Sequence, residues 1–270
     1  MIRAKKKFGQ NFLKDEAIKN RIIQSMPKSA TNVAEIGPGL GDLTQKLLDS
    51  CERVSAFEID LELCGVLKQK FKSEIASEQL MLVCEDVLDV WGEKSLLDEE
   101  YHLIANLPYY VATNIILRAL ADSKCKTILV MVQKEVAIKF ASRSGDREFS
   151  GLAILANSIA KAEVLFDVAP ECFEPQPKVT SAILRITKDK EFVKTSEKDG
   201  IFDSTKELKE FETFLKRAFA APRKTLYKNL QAIASKEDIL QHFSDLGLAQ
   251  NIRGHQLSIE IYHLLFKKLK

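Results

Sequence analysis

Glu35-Ile36-Gly37-Pro38-Gly39-Leu40-Gly41 closes a first apolar run, Val33–Gly37, and leads into a helical pattern with Asp42 and Thr44 near its start. Glycine suits such a turn because the backbone bends sharply there and approaches a ligand where a Cβ would collide. Twenty-one residues after Gly37, at the end of the second candidate strand, stands Glu58 in Phe57-Glu58-Ile59-Asp60. A carboxylate at that strand end accepts both hydroxyls of a ribose. After the third candidate strand, Glu85-Asp86 offers a carboxylate to an adenine amino group. The three features agree in order and spacing, and they predict an adenosine-bearing cofactor held by Gly37, Gly39, Gly41, Glu58 and Asp86.

Which cofactor follows from the glycines. A dinucleotide loop reads Gly-x-Gly-x-x-Gly and sets a pyrophosphate on a helix N-terminus. This chain has Gly-x-Gly-x-Gly. That spacing favours S-adenosylmethionine, which has no phosphate, and argues against a nucleotide-dependent oxidoreductase.

From residue 33 to about 187, apolar runs alternate with helical patterns. The candidate strands are Val33–Gly37, Val54–Ile59, Met81–Cys84, His102–Ala105, Ile128–Val132, Val164–Asp167 and Ala182–Ile186; helix-like stretches such as Leu43–Asp49, Leu61–Phe71 and Thr113–Ala121 lie between the earlier ones. Such alternation predicts an α/β fold, a mostly parallel sheet covered on both faces. Pro170, Pro175 and Pro177 separate the last two runs and suggest a late antiparallel pairing. Residues 188–206 are polar and read as a linker. Beyond them Phe211, Phe214, Leu215, Ala218 and Phe219 recur at helical spacing. Pro222 ends that helix, and Arg223–Ala234, Lys236–Leu246 and Gln256–Lys268 continue the pattern. The expected organisation is a cofactor-binding domain over 1–187, a linker, and a small all-helical domain over 207–270.

Composition sets outer bounds. At 270 residues and 46% apolar content the chain buries a sizeable core. No apolar run is long enough for a membrane span, and the basic N-terminus is not followed by the apolar stretch of a secretory signal. The five cysteines (51, 64, 84, 125, 172) show no Cys-x-x-Cys pair, which suits free thiols in a reducing cytosol; four scattered histidines suggest no metal. A cytoplasmic monomer is the expectation. Charge is uneven: residues 1–187 balance at −2 and residues 188–270 at +4, so the tail domain is the part suited to an acidic partner such as nucleic acid.

Asn106-Leu107-Pro108-Tyr109 follows the apolar run Leu103-Ile104-Ala105. An Asn side-chain oxygen accepts a hydrogen bond from an amine. Proline stiffens the backbone and leaves its carbonyls to accept. Tyrosine offers a face on which a base stacks. The residue types suit chemistry on an amino group attached to a flat ring.

Taken with Phe8-Gly9-Gln10-Asn11-Phe12-Leu13, Val132-Gln133-Lys134-Glu135-Val136-Ala137 and Phe173-Glu174-Pro175-Gln176-Pro177-Lys178-Val179-Thr180-Ser181-Ala182, these segments resemble the ribosomal RNA adenine N6-dimethyltransferase family, and within it the bacterial small-subunit branch. The N-terminal and Pro-rich segments are the most specific, since generic methyltransferases carry neither. Tyr110 departs from the Asn frequent after the tetrapeptide, and Gly254-His255 departs from the residues usual near the C-terminus. The resemblance implies a class I S-adenosylmethionine-dependent methyltransferase fold, Rossmann-like with a mostly parallel seven-stranded sheet. It implies conversion of two adjacent adenosines near the 3′ end of small-subunit (16S) rRNA to N6,N6-dimethyladenosine, and a role in small-subunit assembly. By matched position Asn11, Leu13, Gly37, Glu58, Asp86 and Asn106 would contact the cofactor.

The expected chemistry places the amine's two hydrogens on the Asn106 side chain and a carbonyl of Leu107 or Pro108, with Tyr109 and Phe173 sandwiching a base already unstacked from its RNA. Phosphate contacts are expected from Arg3, Lys5, Lys6 and Lys7 and from a second cluster of Lys216, Arg217, Arg223, Lys224 and Lys228, with Lys134 and Arg147 as further candidates. Two rivals are a large-subunit adenine methyltransferase and a non-catalytic binding protein on the same fold. The Phe8-Gly9-Gln10 lead-in and Arg223-Lys224-Thr225-Leu226 argue against the first, and the intact tetrapeptide against the second.

Overall fold

The computed structural model describes residues 5, 8–92, 95–188, 202 and 204–270. The chain divides into two compact units, Met1–Ala137 with Glu163–Thr187, and Ile138–Ala162 with Lys188–Lys270. The single cut expected at residue 187 therefore differs in one segment. Residues 138–162 group with the C-terminal helices, because the helix Gly151–Ile159 packs there, with Gly151 against Leu215 and Ser158 Oγ 2.7 Å from His263 Nε2. Most of the expected linker lies outside the described residues, and its last residues begin the helix Thr205–Ala218.

The strands are β1 (Phe12–Leu13), β2 (Asn32–Ile36), β3 (Arg53–Phe57), β4 (Leu80–Val83), β5 (Tyr101–Asn106), β6 (Cys125–Gln133), β7 (Lys161–Val168), β8 (Phe173–Glu174) and β9 (Ser181–Thr187). Seven of them form one sheet in the order β4-β3-β2-β5-β6-β9-β7. The β2–β3, β2–β5, β3–β4 and β5–β6 pairs are parallel and β6–β9 is antiparallel. The expected mostly parallel α/β sheet is thus present, and the last two apolar runs do become neighbours. The central strands are apolar on both faces: Val33, Leu103, Ile104, Ile128 and Val130 are wholly buried. Helices cover both sides of a parallel sheet, so alternation is absent where burial is double.

One detail of this order fixes the site. From β2 the chain winds outward through β3 to β4, then crosses back to β5 on the other flank of β2. The winding direction reverses between β2 and β5. A crevice opens there beyond the carboxyl ends of the strands, the place where open α/β sheets bind ligands. The glycine turn follows β2, and Asn106 is the last residue of β5.

β1 and β8 form a separate two-stranded antiparallel pair, with Phe12 opposite Glu174 and Leu13 opposite Phe173. Neither was expected from the sequence, since two residues carry no period. Buried Asp122 anchors the start of β5: it accepts from the Tyr101 hydroxyl at 2.7 Å, Ser95 Oγ at 2.8 Å, Leu96 N at 2.9 Å and Trp91 Nε1 at 3.2 Å. The cysteine expectation is corrected in one respect. Cys64 and Cys84 are joined by a disulfide across a Cα separation of 6.0 Å, while Cys51, Cys125 and Cys172 are free thiols. Their separation by 20 residues hides a pairing that only the packing of the helix Leu61–Lys70 beside β4 creates.

In the second unit Phe211, Phe214, Leu215 and Ala218 form the buried stripe expected of the helix Thr205–Ala218. The Phe211 ring packs on Phe202 at 5.1 Å and on Phe266 at 5.2 Å. His263 lies in this cluster with Nε2 2.7 Å from Ser158 Oγ, and burial pushes its pKa down to about 4. The helix expected over Arg223–Ala234 is shorter, Leu226–Leu230. Thr225 caps it by accepting from Lys228 N, so Arg223 and Lys224 precede it. Gly254, flagged as unusual, is buried under Tyr262, whose hydroxyl donates to its carbonyl at 2.8 Å.

Candidate active site

The cleft at the β2/β5 switch has an open volume of about 1030 Å³, counting the solvent at its mouth, and its walls come mainly from five stretches. They are the N-terminal segment from Phe8 to Leu13, the glycine turn, the Phe57–Ile59 and Glu85–Leu88 strand ends, and Asn106–Val111. Gly37, Gly39 and Gly41 all have positive φ, at 71°, 61° and 77°. At Gly41 a Cβ would also sit 2.5 Å from the Phe71 ring, so the turn admits no side chain there.

Glu58 is buried, with Oε2 accepting from Gly39 N at 3.1 Å and Oε1 from Asp60 N at 2.9 Å. Burial pushes its carboxyl pKa up, against the pull of those backbone hydrogen bonds. Asp86 lines the cleft and caps the short helix Val87–Val90, its Oδ1 accepting from Leu88 N at 2.9 Å. Sequence reasoning left out Glu35, although it opens the quoted glycine segment. It is wholly buried, accepts from the Thr44 hydroxyl at 2.6 Å, and is pushed up to about 8 by burial, with the Glu58 charge adding to the rise.

These groups fit the predicted cofactor. Besides Glu35, which burial keeps largely protonated near neutral pH, the lining includes Asp42, Glu58, Glu85 and Asp86, and among the described lining residues there is no Lys, Arg or His. Such a cleft repels a pyrophosphate and attracts a ligand carrying positive charge, which S-adenosylmethionine carries at its sulfonium and its ammonium. Among the described residues no group of His, Cys, Asp and Glu could hold a metal ion.

At the other wall, the Asn106 side-chain amide donates through Nδ2 to the Asn11 carbonyl at 3.0 Å. Leu107 is buried and its N–H donates to the Met131 carbonyl, while the Pro108 carbonyl accepts from Val111 N at 3.2 Å and keeps a second lone pair. Tyr109 lines the cleft with its hydroxyl 2.6 Å from Ser181 Oγ, and burial raises its pKa. Tyr110 is 60% exposed at the rim, packed over Gly9; partial burial and the nearby charges of Asp86 and Glu58 raise its pKa.

Two expectations are not met. Phe173 is buried in the core beside Leu13, Phe166 and Val168 and is absent from the cleft lining. Its pairing opposite Leu13 turns a residue expected to face a base into a packing residue. Lys5, expected to meet phosphate, instead pairs with Asp60 at 2.7 Å and Glu62 at 2.8 Å. Arg3, Lys6 and Lys7 lie outside the described residues. Lys134 is paired with Asp167 at 2.6 Å, and Lys216 with Glu212 at 2.7 Å; Arg217, Arg223, Lys224 and Lys228 are exposed. No helix among the described residues is long and apolar enough to cross a membrane.

A mostly parallel sheet reversing at β2/β5, a three-glycine turn, strand-end acids and Asn-Leu-Pro-Tyr opposite them define a class I S-adenosylmethionine-dependent methyltransferase. The chain belongs to the ribosomal RNA adenine dimethylase family, whose model matches residues 1–270. It is similar to the Campylobacter curvus protein called ribosomal RNA small subunit methyltransferase A, at 51% identity over 270 residues, covering 100% of this chain and 93% of that one. The protein of the same name from Sulfurimonas denitrificans is 51% identical over 264 residues, 98% and 93% of the two chains. Among solved structures, a dimethyladenosine transferase from Plasmodium falciparum shares the fold with a TM-score of 0.73 at 23% identity, over 96% of this chain and 95% of that one.

Proposed function

We propose that the protein transfers methyl groups from S-adenosylmethionine to N6 of two adjacent adenosines near the 3′ end of small-subunit (16S) rRNA, giving N6,N6-dimethyladenosine during small-subunit biogenesis in the cytoplasm. The observation that carries this reading is the orientation of Asn106. With Nδ2 committed to the Asn11 carbonyl, Oδ1 is the atom left to meet a substrate, and an oxygen accepts from an amine. Full-length likeness to proteins called ribosomal RNA small subunit methyltransferase A supports the choice of RNA.

The adenine amine is a weak nucleophile because its lone pair is delocalised into the ring. Accepting its hydrogens at Asn106 Oδ1 and at a carbonyl of Leu107 or Pro108 draws the nitrogen toward tetrahedral geometry and aims its lone pair. Positioning of this kind supplies a large share of such barriers. S-adenosylmethionine, when bound, supplies an electrophilic methyl group. Glu58 would hold its ribose hydroxyls, Asp86 its adenine amine, and Glu35 would face its ammonium, with Asn11, Leu13 and the glycine turn closing around it. Tyr109 would stack on the target base with its ring fixed by Ser181. Arg223, Lys224 and Lys228 are the exposed cations proposed to meet phosphate.

Incubating the protein with labelled S-adenosylmethionine and immature small subunits, then mapping the label after nuclease digestion, tests the assignment. Dimethyladenosine at two adjacent positions of small-subunit RNA is the expected result. Label on large-subunit RNA instead would overturn it.

A further inference from the structure

The N-terminal segment is held at both ends, and what lies between touches Asn106. On one side, Lys5 N donates to Gln10 Oε1 at 2.7 Å, Gln10 Nε2 donates to Asp60 Oδ2 at 3.0 Å, and Lys5 Nζ pairs with Asp60 Oδ1 at 2.7 Å. These three contacts close a ring through Lys5, Gln10 and Asp60. Asp60 is itself fixed: it is only 3% exposed and caps the helix Leu61–Lys70 by accepting from Glu62 N. On the other side, Phe12 and Leu13 pair with Glu174 and Phe173, and Lys14 N donates to the Cys172 carbonyl at 2.8 Å. Asn11 is the residue between the two anchors, and its main-chain carbonyl accepts from Asn106 Nδ2 at 3.0 Å.

An Asn side chain is symmetric in shape and opposite in chemistry at its two ends. Turned one way it presents an acceptor to the cleft, turned the other way a donor that would repel an amine. Nothing in Asn106 itself chooses between the two. A carbonyl fixed beside Nδ2 does, because the reversed amide would set two oxygens against each other.

We infer that the Lys5–Gln10–Asp60 latch is a positioning device for the transfer step: it holds the Asn11 carbonyl where it locks the Asn106 amide with its oxygen toward the substrate amine. The inference rests on the proposed role of Asn106 as acceptor. Lys5 and Gln10 are positioning residues, and Lys5 lies outside the cleft lining.

The test uses the full-length protein with immature small subunits and compares Lys5→Met, Gln10→Ala, the conservative Lys5→Arg and Asn106→Ala. Single-turnover transfer is measured at saturating cofactor and RNA, alongside the Kd of S-adenosylhomocysteine and the thermal midpoint. Lys5→Met and Gln10→Ala are expected to slow the single-turnover rate about tenfold. Lys5→Arg, which keeps the ion pair, is expected to restore most of it. In the Asn106→Ala background, Lys5→Met is expected to cost nothing further, since there is no amide left to orient. Slowing that appears only below saturation, or that adds in full to Asn106→Ala, overturns the inference while leaving the role of Asn106 intact. A wild-type rate for Asn106→Ala alone overturns that role, and the inference with it. Gln10→Ala provides a second, uncharged route to the same latch should Lys5→Met lower the thermal midpoint.

Discussion

The Tyr109 hydroxyl lies 2.6 Å from Ser181 Oγ, and that hydrogen bond ties the last residue of the Asn-Leu-Pro-Tyr motif to the first residue of β9. Ser181 is completely buried, so its hydroxyl is a fixed point against which the ring is set. Tyr109→Ala removes the proposed stacking face, worth about 1–3 kcal/mol per base, or roughly 5–150-fold in kcat/KM. Tyr109→Phe keeps the face and loses only the anchor, worth about 1 kcal/mol. Steady-state kinetics on immature subunits should rank the phenylalanine variant well above the alanine variant. Equal losses would sink the stacking role.

Asn106→Ala deletes the proposed acceptor while leaving the glycine turn and Glu58 untouched. Its Kd for S-adenosylhomocysteine, measured by calorimetry, should stay within about fivefold of wild type. Single-turnover transfer should fall by about a hundredfold or more, as expected of a group acting on the transition state. Loss of cofactor binding with an unchanged transfer rate would reverse the assignment.

Glu35 is buried with its pKa raised from 4.5 to about 8, so the folded protein holds that proton more tightly than the unfolded chain. The stability this contributes is complete below about 4.5 and is lost as pH rises through about 8. Each unit between the two values corresponds to about 1.4 kcal/mol. Glu35→Gln, which keeps the shape and an oxygen for Thr44, should therefore melt higher than wild type at alkaline pH. The two melting curves should converge in acid. A constant difference across the pH range would show that Glu35 does not titrate in this window.

Arg223 and Lys224 precede the helix Leu226–Leu230, exposed and free of any described ion pair. If each meets a phosphate, Arg223→Ala and Lys224→Ala should each weaken RNA binding and reduce the slope of log K against log salt by about 1. Filter binding over a salt series reads this directly. Unchanged slopes would move the RNA contact elsewhere on the chain.

The parts of the site visible in the sequence are those whose geometry is local. A glycine turn after a strand, an acid at the next strand end and Asn106 closing an apolar run are each set by a few neighbouring residues. Strand alternation likewise predicts the parallel sheet, because double burial leaves continuous apolar runs such as Leu103–Ala105. What the sequence conceals depends on partners far along the chain. Phe173 reads as a loop aromatic until Leu13, 160 residues earlier, pairs opposite it and draws it into the core. Lys5 reads as a free cation until Asp60 is placed beside it. The helix Gly151–Ile159 reads as part of the first domain because nothing in its own residues names the helices it packs against. Glu35 was on view in the opening segment, but its burial, which gives it its chemistry, was not.

The reversal of strand order at β2 and β5 also divides the first unit into two rims of unlike tolerance. The glycine turn, Glu58 and Asp86 follow the carboxyl ends of strands and Asn106 ends β5, so the proposed chemistry gathers at that rim. The far rim, at the amino ends, holds the Lys126–Glu100 pair at 2.6 Å and the Arg53–Glu99 pair at 2.5 Å, exposed contacts worth little to stability. A fluorophore, an affinity tag or a surface tether belongs there. Attached beside Glu99 or Glu52, it would sit at the amino ends of the strands and leave the cleft at their carboxyl ends open.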